Sequence, residues 1–209
     1  MPLRLPRFCA IVDPSVRPEL PLSEIARGLG EAGVRLAQLR VKQATSAALF
    51  ERARQLLSWL PSECALIIND RADVAALAGA AGVHLGQGDL PVAAARALLG
   101  QEKIIGLSTH NAEQLEAAQG VPADYVALGP IFATTTKADR EPVVGLDRLR
   151  ELRALTDRPL MAIGGITPEN AASVLAAGAD AVAVVGGWLA AEDIPNRLGE
   201  FRRALGRLD

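Results

Sequence analysis

The sequence predicts an α/β chain folded as a (β/α)8 TIM barrel, and three observations carry that prediction. Short apolar runs alternate with helix-like stretches along all 209 residues, the pattern of a parallel sheet with crossover helices. Eight such runs can be counted, more than a doubly wound open sheet of this length usually holds. Polar residues and glycines gather just after those runs, at the strand ends where barrels build their sites.

Taken in order, the strands are expected at Phe8–Val12, Val34–Arg40, Ala65–Asn69, Gly82–Leu85, Lys103–Leu107, Tyr125–Leu128, Leu160–Ile163 and Ala181–Val184. The segments between them read as helices. Leu146, Leu149, Leu152 and Leu155 recur near the helical period. Thr167-Pro168-Glu169-Asn170 supplies an N-cap followed by proline at the first helical position, and Gly178 supplies the stop. A last helix is expected between Trp188 and Arg207, with Leu198, Phe201 and Leu205 on one side. Two stretches, Glu31-Ala32-Gly33-Val34 and Ala176-Ala177-Gly178-Ala179-Asp180-Ala181, each read as a helix end, a turn glycine and the next strand. No linker or low-complexity segment divides the chain, so residues 1–209 are expected to form one barrel domain.

Composition excludes several function classes. Twenty-two basic residues balance 24 acidic ones, with no basic run or aromatic stacking stripe, so nucleic acid is not an expected partner. No apolar run reaches the roughly 18 residues of a membrane helix. The opening Met1-Pro2-Leu3-Arg4-Leu5-Pro6-Arg7 is a short, proline-broken apolar stretch unlike a signal peptide. Cys9 and Cys64 fit no zinc spacing and read as buried free thiols, which suits a reducing cytoplasm. Trp59 and Trp188 are expected as packing residues. Whether the chain forms a homo-oligomer is left open by the sequence.

The strand ends carry the chemistry. Along Val34–Lys42, alternation places Ala37, Leu39 and Val41 on one face and Gln38, Arg40 and Lys42 on the other. Two cations and an amide converging at the end of a core strand call for an anion, because buried charge is costly without a partner. A guanidinium beside an ammonium suits a phosphate or diphosphate. An internal salt bridge to Asp or Glu is the plainer reading. Asp70 and Asp89 top neighbouring strands and could share one cation; carboxylates next to a phosphorylated ligand are the usual setting of Mg²⁺. Helix capping by Asp70 and a turn role for Asp89 are the alternatives. Gly164-Gly165 and Gly186-Gly187 follow the last two strands, where phosphate sites recur in such barrels. The stretch from Gly129 to about Val144, with Thr134, Thr135, Thr136 and Lys137, is long enough for a functional lid. His84 reads as a satisfied structural histidine, and His110 as a helix cap or a site residue. Seven of the eight expected strand ends contribute to this pattern.

These residues resemble the thiamine phosphate synthase family through most of the chain. The signatures are Gln38-Leu39-Arg40-Val41-Lys42, Ile68-Asn69-Asp70-Arg71-Ala72-Asp73, Gly82-Val83-His84-Leu85-Gly86-Gln87-Gly88-Asp89-Leu90-Pro91 and Gly106-Leu107-Ser108-Thr109-His110. Asp124 through Lys137 and Ala162-Ile163-Gly164-Gly165-Ile166 complete them. The resemblance implies a (β/α)8 barrel that joins an aminopyrimidine methyl diphosphate to a thiazole phosphate. It also implies site roles. Gln38, Leu39, Arg40, Val41, Lys42, Asn69, Ser108 and Lys137 would contact the pyrimidine diphosphate, with Arg40, Lys42, Ser108 and Lys137 catalytic. Asp70 and Asp89 would hold Mg²⁺. Thr134, Thr135, Thr136, Gly165, Val185 and Gly186 would hold the thiazole phosphate. One departure stands out: the family often has Ser where this chain has Gly186, so a hydroxyl donor is missing. Three rival readings are a thiazole tautomerase on a similar barrel, a Schiff-base aldolase using Lys42 or Lys137, and a non-catalytic barrel that only binds thiazole phosphate or a protein.

Overall fold

A computed structural model describes residues 3–134 and 141–209. Eight parallel strands close into a barrel in sequence order. They are β1 (Phe8–Val12), β2 (Leu36–Leu39), β3 (Ala65–Asn69), β4 (Gly82–Leu85), β5 (Ile104–Thr109), β6 (Tyr125–Leu128), β7 (Leu160–Ile163) and β8 (Ala181–Val184). The expected strands are all present; β2 is shorter than the apolar run and β5 extends two residues further. Around them lie α1 (Leu22–Glu31), α2 (Ser46–Trp59), α3 (Ala72–Ala78), α4 (Val92–Leu99), α5 (Ala112–Gln119), α6 (Gly145–Arg153) and α7 (Pro168–Ala176). After β8 come α8 (Gly186–Leu189) and α9 (Ile194–Leu205).

Alternation along each strand makes two cores. One face fills the layer between strands and helices: Phe8, Ala10 and Val12 of β1, Ala37 and Leu39 of β2, Leu66 and Ile68 of β3. The other fills the barrel interior: Cys9, Ile11, Leu36, Ile67, Tyr125, Ala127, Met161, Ala181 and Ala183. Leu5 packs into this inner core as well. The inner core is therefore apolar low in the barrel. Polar inward residues line the upper part: Gln38 on β2, Asn69 on β3, His84 on β4 and Ser108 on β5.

Caps fix the helix starts that border the site. The Thr45 side chain accepts from the Ala48 N–H, and Asn111 from the Gln114 N–H. Thr167 and Asn170 form a capping box at α7, with Pro168 inside it as expected. Gly33 and Gly178, the two turn glycines of the repeated pattern, both adopt positive φ, 72° and 109°.

The expected single helix from Trp188 to Arg207 is two. Asp193 accepts from the Asn196 N–H and starts α9, with Pro195 in its first turn. A proline there cannot donate to a preceding turn, so the chain restarts instead of continuing. Trp188 is fully buried and donates to the Val184 carbonyl at 2.9 Å. Trp59, by contrast, is 45% exposed and is not a core residue. Cys9 and Cys64 are buried free thiols, and burial pushes Cys64 up to about 12.

Candidate active site

The mouth of the barrel at the C-terminal strand ends encloses a cavity of about 650 Å³. Its walls include Gln38, Arg40, Asn69, His84, Ser108 and His110 on one side, and Gly164, Gly165, Val185 and Gly186 on the other. Thr134 joins them from the loop after β6. The two groups come from opposite arcs of the barrel, β2 to β5 against β7 and β8. Leu39 and Val41 face away, packed against the helix layer, so their side chains do not reach the cavity. Thr135, Thr136 and Lys137 lie outside the described residues.

Both cations of β2 have carboxylate partners. Arg40 Nη1 donates to Asp13 Oδ2, and Lys42 Nζ donates to Asp70 Oδ2 at 2.6 Å. The two pairs differ in kind. Asp13 and Arg40 are largely buried, whereas the Lys42 side chain is 52% exposed and its pairing weakly held. Asp13 is 3% exposed and its second oxygen accepts from the Ser15 N–H and hydroxyl, which locks it in place. One guanidinium nitrogen of Arg40 is thus committed to Asp13, and Arg40 still lines the cavity. Sequence reasoning passed over Asp13, although it stands at the end of β1, the one strand end not used in it.

Asp70 and Asp89 converge beside Lys42, and none of the three belongs to the cavity lining. Asp70 adopts φ 65°, a conformation few residues other than glycine, Asn and Asp hold, and its N–H donates to the His84 carbonyl at 2.8 Å. Asp89 Oδ2 accepts from the Gly86 N–H at 2.6 Å. Burial raises the Asp89 carboxyl above its ordinary value, and the adjacent Asp70 carboxylate adds to the shift. Two hard oxygen donors held close enough to repel are residues that could hold a hard cation.

On the opposite arc, the backbone itself makes the site. Gly164 and Gly165 have φ of 101° and 63°. A Cβ at Gly165 would come within 2.6 Å of the Ala133 carbonyl oxygen and 2.7 Å of Phe132 Cβ. Only glycine fits, by conformation and by space. Beyond β8 the chain forms the four-residue α8, with Gly186 at its start lining the cavity.

The deeper polar residues are linked. His84 Nε2 lies 2.8 Å from Ser108 Oγ and His84 Nδ1 lies 2.9 Å from the Tyr125 hydroxyl. His110 Nδ1 lies 2.6 Å from the Gly129 carbonyl, so this ring bridges two strand ends instead of capping a helix with its side chain. Gln87 Nε2 donates to the Ser108 carbonyl at 2.6 Å.

Residues 8–187 match the family model described as thiamine monophosphate synthase. The chain belongs to the thiamine monophosphate synthase family. Members of the thiamine monophosphate synthase family recur among its relatives. A thiamine-phosphate synthase of Koribacter versatilis is 49% identical over 207 residues, covering 97% of each chain. Another, from Azorhizobium caulinodans, is 46% identical and covers 88% of this chain and 87% of its own. Among solved structures, thiamine phosphate pyrophosphorylase from Pyrococcus furiosus superposes with a TM-score of 0.84 at 31% identity, covering 96% of this chain and 95% of that one. The barrel and its order of elements are those of the thiamine monophosphate synthase family. Among the described residues no helix is long and apolar enough to cross a membrane.

Proposed function

We propose that the chain joins an aminopyrimidine methyl diphosphate to a thiazole phosphate, releasing thiamine monophosphate and diphosphate. The observation that supports this reading is the cluster of Lys42, Asp70 and Asp89 at the ends of β2 to β4, the arc from which Arg40 lines the cavity, with a glycine-built turn on the other arc. One arc suits a metal-bound diphosphate. The other suits a single phosphate held by backbone N–H groups.

Magnesium fits the donor set. Asp70 and Asp89 would hold it, with the remaining positions left to diphosphate oxygens and water. When bound, it would offset the negative charge that develops on the departing diphosphate. Arg40 adds a fixed positive charge to the same end, oriented by Asp13. Lys42 can leave its exposed pairing with Asp70 for the diphosphate at small cost. The motif adds Lys137, from the loop after β6.

The reaction needs no protein nucleophile. The carbon–oxygen bond breaks with its electron pair going to the diphosphate, and the electron-rich aminopyrimidine stabilises the methylene cation left behind. The thiazole nitrogen then forms the new carbon–nitrogen bond and becomes the thiazolium nitrogen. No proton is moved in these two steps. The chain's task is to hold both rings in line inside a cavity of about 650 Å³ and to exclude water from the cation. Incubation of the protein with both precursors and Mg²⁺ is expected to yield thiamine phosphate; folded protein that yields none overturns the proposal.

A further inference from the structure

His84, Gly106 and Tyr125 are register neighbours on β4, β5 and β6, all facing the barrel interior. The glycine between them is what lets the two rings meet. A Cβ at Gly106 would overlap the Tyr125 ring and come within 2.5 Å of His84 Nδ1. With that space open, the Tyr125 hydroxyl reaches Nδ1 at 2.9 Å and Nε2 reaches Ser108 Oγ at 2.8 Å. Ser108 and His84 line the cavity; Tyr125 lies beneath it, fully buried.

The direction of this chain of bonds follows from Tyr125. A buried phenol must keep its proton and must place it on an acceptor. Its surroundings are Cys9, Ala127, Met161 and other apolar side chains of the inner core. Among the described residues, Nδ1 is the acceptor its hydroxyl meets. The phenol therefore donates to Nδ1, the imidazole proton sits on Nε2, and Nε2–H donates to Ser108 Oγ.

We infer that Tyr125 and His84 are positioning residues that fix Ser108 as a hydrogen-bond donor facing the cavity. With its oxygen already accepting from His84, the Ser108 O–H turns to an acceptor on the pyrimidine diphosphate. This rests on the proposed reading of Ser108 as a contact of that substrate. The other cavity histidine is set the opposite way: His110 Nδ1 donates to the Gly129 carbonyl.

The tautomers themselves are the test. Long-range proton–nitrogen correlation spectra of the full, nitrogen-labelled chain report both histidines, and a His110→Gln variant assigns them. His84 is expected to carry its proton on Nε2 at neutral pH. A proton on Nδ1, or a doubly protonated ring, would overturn the inference whether or not the protein makes thiamine phosphate. Kinetics then test the route through Ser108. Tyr125→Phe is expected to lower kcat about tenfold, the worth of one misdirected hydrogen bond, with KM for the thiazole phosphate unchanged. In a Ser108→Ala background the same substitution is expected to cost less than about twofold. Equal losses in both backgrounds would show that Tyr125 acts on packing alone. A wild-type chain with the expected tautomer and no thiamine phosphate would instead count against the proposed function.

Discussion

Arg40 donates to Asp13 across the ends of β2 and β1, and Asp13 is the more deeply buried of the two. A guanidinium held this way has one fixed orientation toward the cavity. Its remaining donors are presented to a ligand already ordered.

Asp13→Ala should therefore separate charge from orientation. The positive charge of Arg40 stays and loses its buried counter-charge, so affinity for inorganic diphosphate is expected not to fall. Turnover depends on placement, and kcat is expected to fall about 100-fold. Calorimetry with diphosphate and steady-state kinetics on the same preparation check the two halves. Unchanged kcat would remove Asp13 from the site.

Asp89 carries a stability cost that runs opposite to most carboxylates. Burial and the neighbouring Asp70 hold its proton to a higher pH in the folded chain than in the unfolded one. This group favours folding in acid, and its contribution is lost as pH rises through the raised value. Once Asp89 has lost its proton, its charge weakens the metal-free fold. Asp89→Asn is expected to raise the neutral-pH Tm of the metal-free protein by about 2 °C and to leave it nearly unchanged at about pH 3. The same variant is expected to lose magnesium-dependent turnover. A lower Tm at neutral pH would reject the repulsion between Asp70 and Asp89.

Gly165→Ala places a methyl against the Ala133 carbonyl oxygen and forces a positive φ on a residue that resists it. The turn must shift, and with it the N–H groups proposed for the thiazole phosphate. KM for the thiazole phosphate is expected to rise at least about tenfold, with KM for the pyrimidine diphosphate nearly constant. Equal effects on both constants would show a general loss of fold instead.

Away from the site, Arg96 is buried and donates to Asp124 Oδ2 at 2.6 Å, an oxygen that also accepts from the Ile105 N–H at 2.7 Å. Carbonyls of Gly100, Lys103 and Pro122 take up its other donors. Asp124→Ala strands both a buried charge and a strand N–H, at a cost of about 3 kcal/mol. Denaturant unfolding should show that loss, while kcat measured on folded protein stays at the wild-type level.

The clearest parts of the site in the sequence were those with a period. Alternation along β2 separates Gln38, Arg40 and Lys42 from Ala37, Leu39 and Val41; in the closed barrel Gln38 and Arg40 line the cavity, Lys42 is half exposed, and the other three pack toward the helices. What depended on register was hidden. Asp13 means little until β1 is set beside β2 with Val12 opposite Leu39. His84 reads as structural because its partners are 41 and 24 residues away, and only the β4–β5–β6 register brings them together over Gly106. The restart at Asp193 was legible in kind, a cap followed by proline, but the apolar spacing of Leu198, Phe201 and Leu205 suggested one continuous helix. The plainer salt-bridge reading of β2 holds, since Arg40 and Lys42 are both paired with carboxylates, while Arg40 also lines the cavity.

In the proposed reaction two acids and a cluster of cations grip a metal-bound leaving group. The most direct measurement of that grip is a magnesium titration of product formation from both precursors, run on the wild-type chain and on Asp89→Ala. Thiamine phosphate and diphosphate are expected in equal amounts from the wild-type chain, only when Mg²⁺ is present, and from the variant not at all. Undiminished product from Asp89→Ala, or from wild-type protein stripped of metal, would contradict the account.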